Sequence, residues 1–554
     1  MHRVSFGPCL LAVSFGLALP ALAGAAEPTM PLSDVRAGMQ CTALSVVQGT
    51  VPTTFNATVL GVNGGPRPSD ALIVMRFSGA AIDGTGIGQG FSGSPVSCPD
   101  GAGTMRVVGA ISQGIGQYDN LVAGVTPIEA MLATPTTGAG MRTPVIGALS
   151  SPKAKAGALR AEAASGASAP WGTGRTQLFL SGVRGPLAVR LAKWSTDRGR
   201  PMVVGAPATR SAAGGSGGLA GGDAVAVSAV TGDISAGAIG TVTYVDGDRV
   251  WAFGHPFNGS GPSRLVMQQA SIITVIGSPS IGEQVSYKLG MPGASVGTIG
   301  FDGSFAIGGQ LGAQPGMIST DVSVRNAAGA EIQSARAQVV DERPVRGANT
   351  TGLLTLAAAA NAGAAIQRLS NQATVGGAAR TCTTITLKGQ PVPLHQCADS
   401  SVASPDASVG GIEMGVAEAV GMAVGPVMSA ERFTTLIDRV HVDVKLRDEA
   451  DTAQLVRIRQ PGRVRAGRLV TVRVVLIQGS TGERREVPIT VRIPRAAAGV
   501  KTGIAVFADP VESATDGGYS EDGDAMEPPK NLPALRSLYT AAGISGIRVL
   551  AVPG

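Results

Sequence analysis

Two short segments concentrate the residue types that acyl transfer needs. The first is Gly90-Phe91-Ser92-Gly93-Ser94-Pro95, a serine hydroxyl set among glycines. Attack on a carbonyl carbon needs a hydroxyl on a sharply turned backbone, with free N–H groups beside it for the charge that develops on oxygen. Flanking glycines permit the unusual dihedrals and the close approach of a substrate. Ser92 is the better placed hydroxyl and Ser94 is the alternative. A plain Gly/Ser turn is the competing reading in a chain with 79 glycines among 554 residues. The second segment is Phe253-Gly254-His255-Pro256-Phe257, directly after the strand-like run 249–253. A histidine between Gly and Pro sits in a fixed turn at a strand end, where catalytic groups are often displayed. Elimination strengthens its claim, because the chain has 4 histidines. His2 lies in the leader. His441 sits in an alternating run beside Val440 and Val442 and reads as a sheet-surface residue. His395 lies beside Cys397 in an expected hairpin.

Other chemistries find no support. There is no HExxH, no Walker loop and no EF-hand in the sequence. Gly214-Gly215-Ser216-Gly217-Gly218, followed by Gly221-Gly222-Asp223, lacks the lysine and the preceding strand of a phosphate loop, so a flexible loop is the expectation. No cofactor and no metal site is expected. The net charge of +6 is spread along the chain. Its densest basic stretch, 457–473, includes Arg459, Arg463, Arg465 and Arg468, but it alternates like a strand with a solvated face. Without an arginine-rich helix or aromatic-basic interleaving, nucleic-acid binding is not expected.

The opening residues point to export. His2 and Arg3 precede an apolar run at 10–22, and Ala21-Leu22-Ala23 has the small-x-small pattern of a signal-peptidase site. Residues 1–25 are therefore read as a signal peptide that carries Cys9 away. Four cysteines remain, Cys41, Cys98, Cys382 and Cys397, and an even number in an exported chain suggests disulfides. Cys41 with Cys98 and Cys382 with Cys397 is the simplest of the three pairings. The apolar stretch 410–428 carries Glu413 and Glu418 among several glycines and a proline, so buried structure is expected there and no transmembrane span.

Around these segments the chain reads as short strands punctuated by glycine turns. Residues 26–145 form a serine-bearing β lobe and 146–175 an Ala/Ser/Gly/Lys-rich linker. A histidine-bearing β lobe follows at 176–345, with Asp246-Gly247-Asp248 as a tight hairpin turn. Residues 346–435 mix an alanine-rich helix at 353–369 with a cysteine-bounded hairpin at 381–397. Strong alternation at 436–508 suggests a β-sandwich-like module. Residues 509–554 read as a loose acidic tail with a short helix near 535–541. The 44% of hydrophobic residues suffices for several cores, which sets this chain apart from disordered ones.

Longer stretches resemble a known family. Gly86-Ile87-Gly88-Gln89-Gly90-Phe91-Ser92-Gly93-Ser94-Pro95-Val96 is followed by Val107-Val108-Gly109-Ala110-Ile111, then by Val122 to Leu132, and later by Gly240 to Val250 and Ala252-Phe253-Gly254-His255-Pro256. Together these resemble the SpoIVB-type serine peptidases, over roughly residues 30–135 and 220–325. The resemblance implies a mainly β fold, a chymotrypsin-like double β-barrel in two separated lobes. It implies Ser92 as nucleophile and His255 as base. By analogy with chymotrypsin-like proteases, the N–H groups of Gly90 and Ser92 face the oxyanion. The order of the serine and histidine segments is exchanged relative to the sporulation protease, which a triad defined in space tolerates. The family's catalytic acid lies about fifteen residues before its serine. Here that region holds Arg76-Phe77-Ser78-Gly79 and no acid; Asp70 and Asp83 are the nearest carboxylates, and Asp70 is the candidate third member. The expected partner is a protein or peptide substrate in the cell envelope, with the protein periplasmic or extracellular. The competing reading is a non-catalytic envelope binding or assembly protein that keeps the fold. A further one makes the C-terminal module a carbohydrate or partner binder.

Overall fold

The computed structural model describes residues 26–114, 120–138, 178–197, 202–204, 218–277, 286–341, 353–369, 377–401, 411–429, 437–447, 453–459, 465–478, 482–493, 502–508, 532–533 and 547–553. The signal peptide at 1–25, the linker at 146–175, most of the Gly214–Gly218 run, the acidic stretch at 509–529 and the helix expected at 535–541 lie outside the described residues.

The first lobe closes on itself. Strands β1 (Gln40–Ser45), β2 (Thr53–Gly64), β3 (Ala71–Ser78), β4 (Pro95–Pro99), β5 (Met105–Gly114) and β6 (Val122–Pro127) form a closed antiparallel barrel in the order β1-β2-β3-β6-β5-β4. Period-two alternation is plain on β3, where Ile73, Met75 and Phe77 are buried while Arg76 and Ser78 are exposed. Phe55 of β2 packs on Phe77 at a ring-centroid distance of 6.0 Å. The seam between β1 and β4 holds two register pairs, Thr42 with Ser97 and Ala43 with Val96. The Cys41–Cys98 disulfide staples that seam, and the second bridge joins Cys382 to Cys397. Both pairings are those the spacing suggests.

The second lobe repeats the plan. Beyond the short strands β7 (Leu178–Ser181) and β8 (Met202–Val204) come β9 (Ala224–Gly232), β10 (Ser235–Asp246), β11 (Arg249–Ala252), β12 (Gly261–Ile276), β13 (Tyr287–Asp302) and β14 (Ile307–Leu311). These six pair in the cycle β9-β12-β13-β14-β11-β10, and β10 pairs back onto β9. The ring encloses Val225, Val227, Val242, Leu265, Met267 and Ile299. The expected turn joins β10 to β11, with Gly247 at φ 61°. The mainly β fold is thus the one the strand-like runs suggest, and barrel closure is what the family resemblance implies.

The ring is embedded in a thirteen-stranded sheet. It extends through β15 (Met317–Arg325), β16 (Glu331–Val340), β17 (Ala378–Leu387), β18 (Leu394–Ser401) and β19 (Ile437–Arg447). Helices Leu353–Leu369 and Ile412–Ser429 pack on this extension, joined by Gly185–Asp197. Gly363 makes room at their crossing: a Cβ there would lie 2.6 Å from the Leu187 side chain and 3.2 Å from the Glu413 carbonyl oxygen. The apolar stretch at 410–428 is therefore a packed helix. No described helix is long and apolar enough to cross a membrane.

Two features depart from the sequence reading. The run 436–508 does not act as one module, because β19 inserts into the large sheet, parallel to β15 and antiparallel to β17. Alternation identifies a strand and its faces but not its partner. β20 (Ala453–Arg459), β21 (Leu469–Gln478) and β22 (Arg484–Arg492) form a separate three-stranded sheet, and there Arg459 and Arg473 face Glu486. The chain end is also not all loose, since β24 (Ile547–Pro553) pairs antiparallel with β23 (Thr502–Ala508).

Candidate active site between the two barrels

Ser92 lies on the loop between β3 and β4, held by contacts from both barrels. Phe91, fully buried, anchors the loop in the first barrel's core, edge-on to Phe55 at 6.2 Å. The Gly93 N–H donates to Ile111 of β5 at 2.7 Å. From the second barrel, the Thr241 N–H donates to the Ser92 carbonyl at 2.8 Å and the Thr243 hydroxyl to the Gly93 carbonyl at 2.8 Å. Gly93 has φ +94°, and a Cβ there would sit 1.9 Å from the Thr241 carbonyl oxygen. Only glycine fits a position that is both left-handed and pressed against backbone.

His255 is aimed by an unusual turn. β11 ends at Ala252, and Phe253 follows with φ 72°, the one non-glycine residue at positive φ among the described residues. Such a conformation costs of order 1–3 kcal/mol and persists only where its surroundings enforce it. Phe253 is buried, and its ring occupies the space a Cβ on Gly240 would need. Gly254, at φ 70°, offers its carbonyl to the Thr126 hydroxyl of the first barrel at 2.7 Å. The turn is thus fixed from both sides.

These two loops bring together residues 163 apart in sequence. Ser92 Oγ lies 2.8 Å from His255 Nε2, and His255 Nδ1 lies 2.8 Å from the Pro256 carbonyl oxygen. A carbonyl can only accept, so Nδ1 carries the proton. Nε2 is left with its lone pair facing the Ser92 hydroxyl, which donates to it. Burial of the imidazole pushes its pKa below the ordinary histidine value, while the Pro256 carbonyl and the Asp302 carboxylate raise it in part. The ring is therefore neutral at neutral pH, the state in which it accepts a proton. Neither the Gly90 nor the Ser92 N–H has a hydrogen-bond partner among the described residues. The arrangement offers an activated hydroxyl, a neutral base and two free donors on one loop.

The remaining candidates lie elsewhere. Ser94 is fully buried, and its hydroxyl donates to Ser45 at 2.7 Å. Asp70 sits in an exposed turn, where Arg67 donates to its carboxylate at 2.7 Å and Ser69 at 3.1 Å. It is not hydrogen-bonded to His255. Asp83 is likewise exposed. The carboxylate that serves the histidine loop is Asp302, at the end of β13. Buried to 1% exposure, it accepts the backbone N–H groups of Phe257, Asn258 and Ser260, and the Ser260 hydroxyl. Asp302 lies far after the serine, outside the region before it where the family resemblance puts the acid. The available signal was one acid within Gly300-Phe301-Asp302-Gly303, in an otherwise uncharged stretch.

Only one group of side chains has metal-ligand composition among the described residues, Cys382, His395 and Cys397. Both sulfurs are spent in the disulfide. His395 and His441 lie on the large sheet, and the Nδ1 of His395 contacts Thr384.

The chain matches no protein-family model, no curated protein and no solved structure.

Proposed function

We propose that this chain is an exported serine endopeptidase, of the SpoIVB type that its motifs resemble, cleaving peptide bonds by acyl transfer on Ser92. The observation that carries the reading is the 2.8 Å approach of Ser92 Oγ to a His255 Nε2 whose tautomer is fixed from behind. In this mechanism His255 takes the hydroxyl proton as Oγ bonds to the substrate carbonyl carbon. The carbonyl π pair moves to oxygen, where the Gly90 and Ser92 N–H groups receive it. The imidazolium is stabilised by the Pro256 carbonyl and the nearby Asp302 charge. It then passes its proton to the leaving amine as the C–N bond breaks. Water repeats the sequence on the acyl-enzyme and regenerates the serine.

Two disulfides suit an oxidising compartment, in keeping with the signal-like opening. The substrate class is protein or peptide. A second reading, a non-catalytic envelope binding or assembly protein, is favoured by one observation: a backbone carbonyl stands where a triad has its carboxylate. The experiment that separates the two is fluorophosphonate labelling of the mature chain against its S92A variant. The peptidase reading requires labelling that S92A abolishes.

A further inference from the structure

Beneath the serine loop lies a lysine that the mechanism above does not use. Lys288, on β13, is fully buried. Its ammonium donates to Ser45 Oγ at 2.6 Å and Thr241 Oγ1 at 3.4 Å, and it sits 4.2 Å over the Phe91 ring. Among the described residues, no carboxylate pairs with it. β1 and the loop 86–94 carry no charged residue. On β10, Tyr244 donates to the Glu27 carbonyl and Asp246 pairs with Arg249. On β12, Lys288 faces Val275, with Arg264 near the opposite end. Its neighbour Tyr287 is stacked on Phe179.

The hydrogen bonds around Lys288 converge on the peptide planes of the serine loop. Its backbone N–H donates to the Gln89 carbonyl at 3.0 Å. In a trans peptide the carbonyl and the following N–H point in opposite directions. Holding Gln89 O from one side therefore aims the Gly90 N–H to the other. The ammonium acts on the next plane. Ser45 Oγ receives both the lysine and the Ser94 hydroxyl. Thr241 Oγ1, bonded to this cluster, donates to the Gly90 carbonyl at 3.0 Å. The third plane is held where the Ser94 N–H donates to the Phe91 carbonyl at 2.9 Å, which aims the Ser92 N–H. A protonated lysine can only donate, so it orders this hydroxyl chain in one direction. A neutral amine can accept from Ser45 and reverse it. The Gly90 position also leaves no slack, because a Cβ there would lie 2.8 Å from the Lys288 side chain.

We propose that the Lys288 ammonium is a positioning residue for the oxyanion donors: through Ser45 and Thr241 it locks the Gly90 plane so that the Gly90 and Ser92 N–H groups meet one developing negative charge. This rests on the peptidase reading and adds a residue to it. Burial brings the lysine down to about 7, so its charge is present below neutral pH and lost above it. Activity then has an alkaline limb set by Lys288 and an acid limb set by His255.

The test is the pH dependence of fluorophosphonate labelling of the full mature chain, for wild type and K288M, with circular dichroism to verify folding. Methionine keeps the length and apolar stem but removes the donor and the charge. Wild type is expected to lose labelling rate as pH rises through about 7. K288M is expected to label roughly 10²-fold more slowly, the scale of one lost oxyanion donor, with inhibitor affinity little changed and no alkaline limb. Labelling of K288M within about threefold of wild type, still with the alkaline limb, overturns the proposal and leaves the peptidase reading standing. A wild-type rate that keeps rising above about pH 7 overturns it as well, and this needs no folded variant. Absence of labelling in wild type overturns the peptidase reading and this proposal with it.

Discussion

The Asp302 carboxylate accepts the Phe257 N–H at 2.7 Å, two residues beyond His255, and makes no hydrogen bond to the imidazole itself. The acid thus works through the backbone. It fixes the segment 257–260, and the Pro256 carbonyl then meets Nδ1. The roles of a triad acid are divided here. A carbonyl sets the tautomer, and a buried charge nearby favours the imidazolium.

Removing that carboxylate should cost stability and rate together. D302A leaves the Phe257 N–H unpaired in buried surroundings, at about 1–3 kcal/mol, and removes the acceptor of the part-buried Asn258 and Ser260 N–H groups. Thermal unfolding should therefore shift down by many degrees. D302N retains the shape but removes the charge and faces an N–H with an amide. It should fold, at reduced stability, and label more slowly than wild type. A D302N protein with wild-type melting and labelling would refute this role.

The acid limb of any activity should lie below the ordinary histidine range. Burial lowers the His255 pKa, so the neutral ring persists to more acidic pH than the usual 6.5. The sign for stability follows. The unfolded chain binds the proton more readily, so stability is lost as pH falls below about 6.5. Comparing pH-dependent melting of wild type and H255Q checks this, since the variant should lack that contribution.

Gly93 should be irreplaceable where Gly38 is not. Both have positive φ, but a Cβ on Gly93 meets the Thr241 carbonyl at 1.9 Å, whereas one on Gly38 meets nothing within 4 Å. G93A should displace Ser92 from His255 and abolish labelling. G38A should cost only the backbone strain, about 1–2 kcal/mol, and keep full labelling. Equal labelling by both variants would contradict the clamp.

The two disulfides should contribute unequally. Cys41–Cys98 closes a separation of 57 residues and Cys382–Cys397 one of 15. Chain entropy then gives about 4 and about 3 kcal/mol respectively. Denaturant unfolding of C41S/C98S and C382S/C397S should show the larger loss in the first, with serine-loop labelling also reduced because β4 begins directly after Ser94.

Ser92 and His255 were legible because each sits in a motif whose glycines and proline have local consequences, and because histidine is so scarce. The strands of both lobes were legible from alternation, as on β3. Asp302 was not, since its partners lie more than forty residues away and are backbone groups that any sequence would supply. Lys288 was hidden for a similar reason. One lysine in an alternating run reads as a solvated residue until closure of the second ring turns it beneath the serine loop. The parallel insertion of β19 beside β15 depends on helices packed across a long connection, which no local pattern encodes.

The most direct measurement is mass-spectrometric mapping of a fluorophosphonate adduct on the mature chain at neutral pH, with S92A and H255A as controls. Acyl transfer on Ser92 requires one adduct on Ser92 in wild type, none in S92A, and a rate in H255A lower by orders of magnitude. An adduct on Ser94, an unchanged rate in H255A, or no adduct in wild type would contradict it.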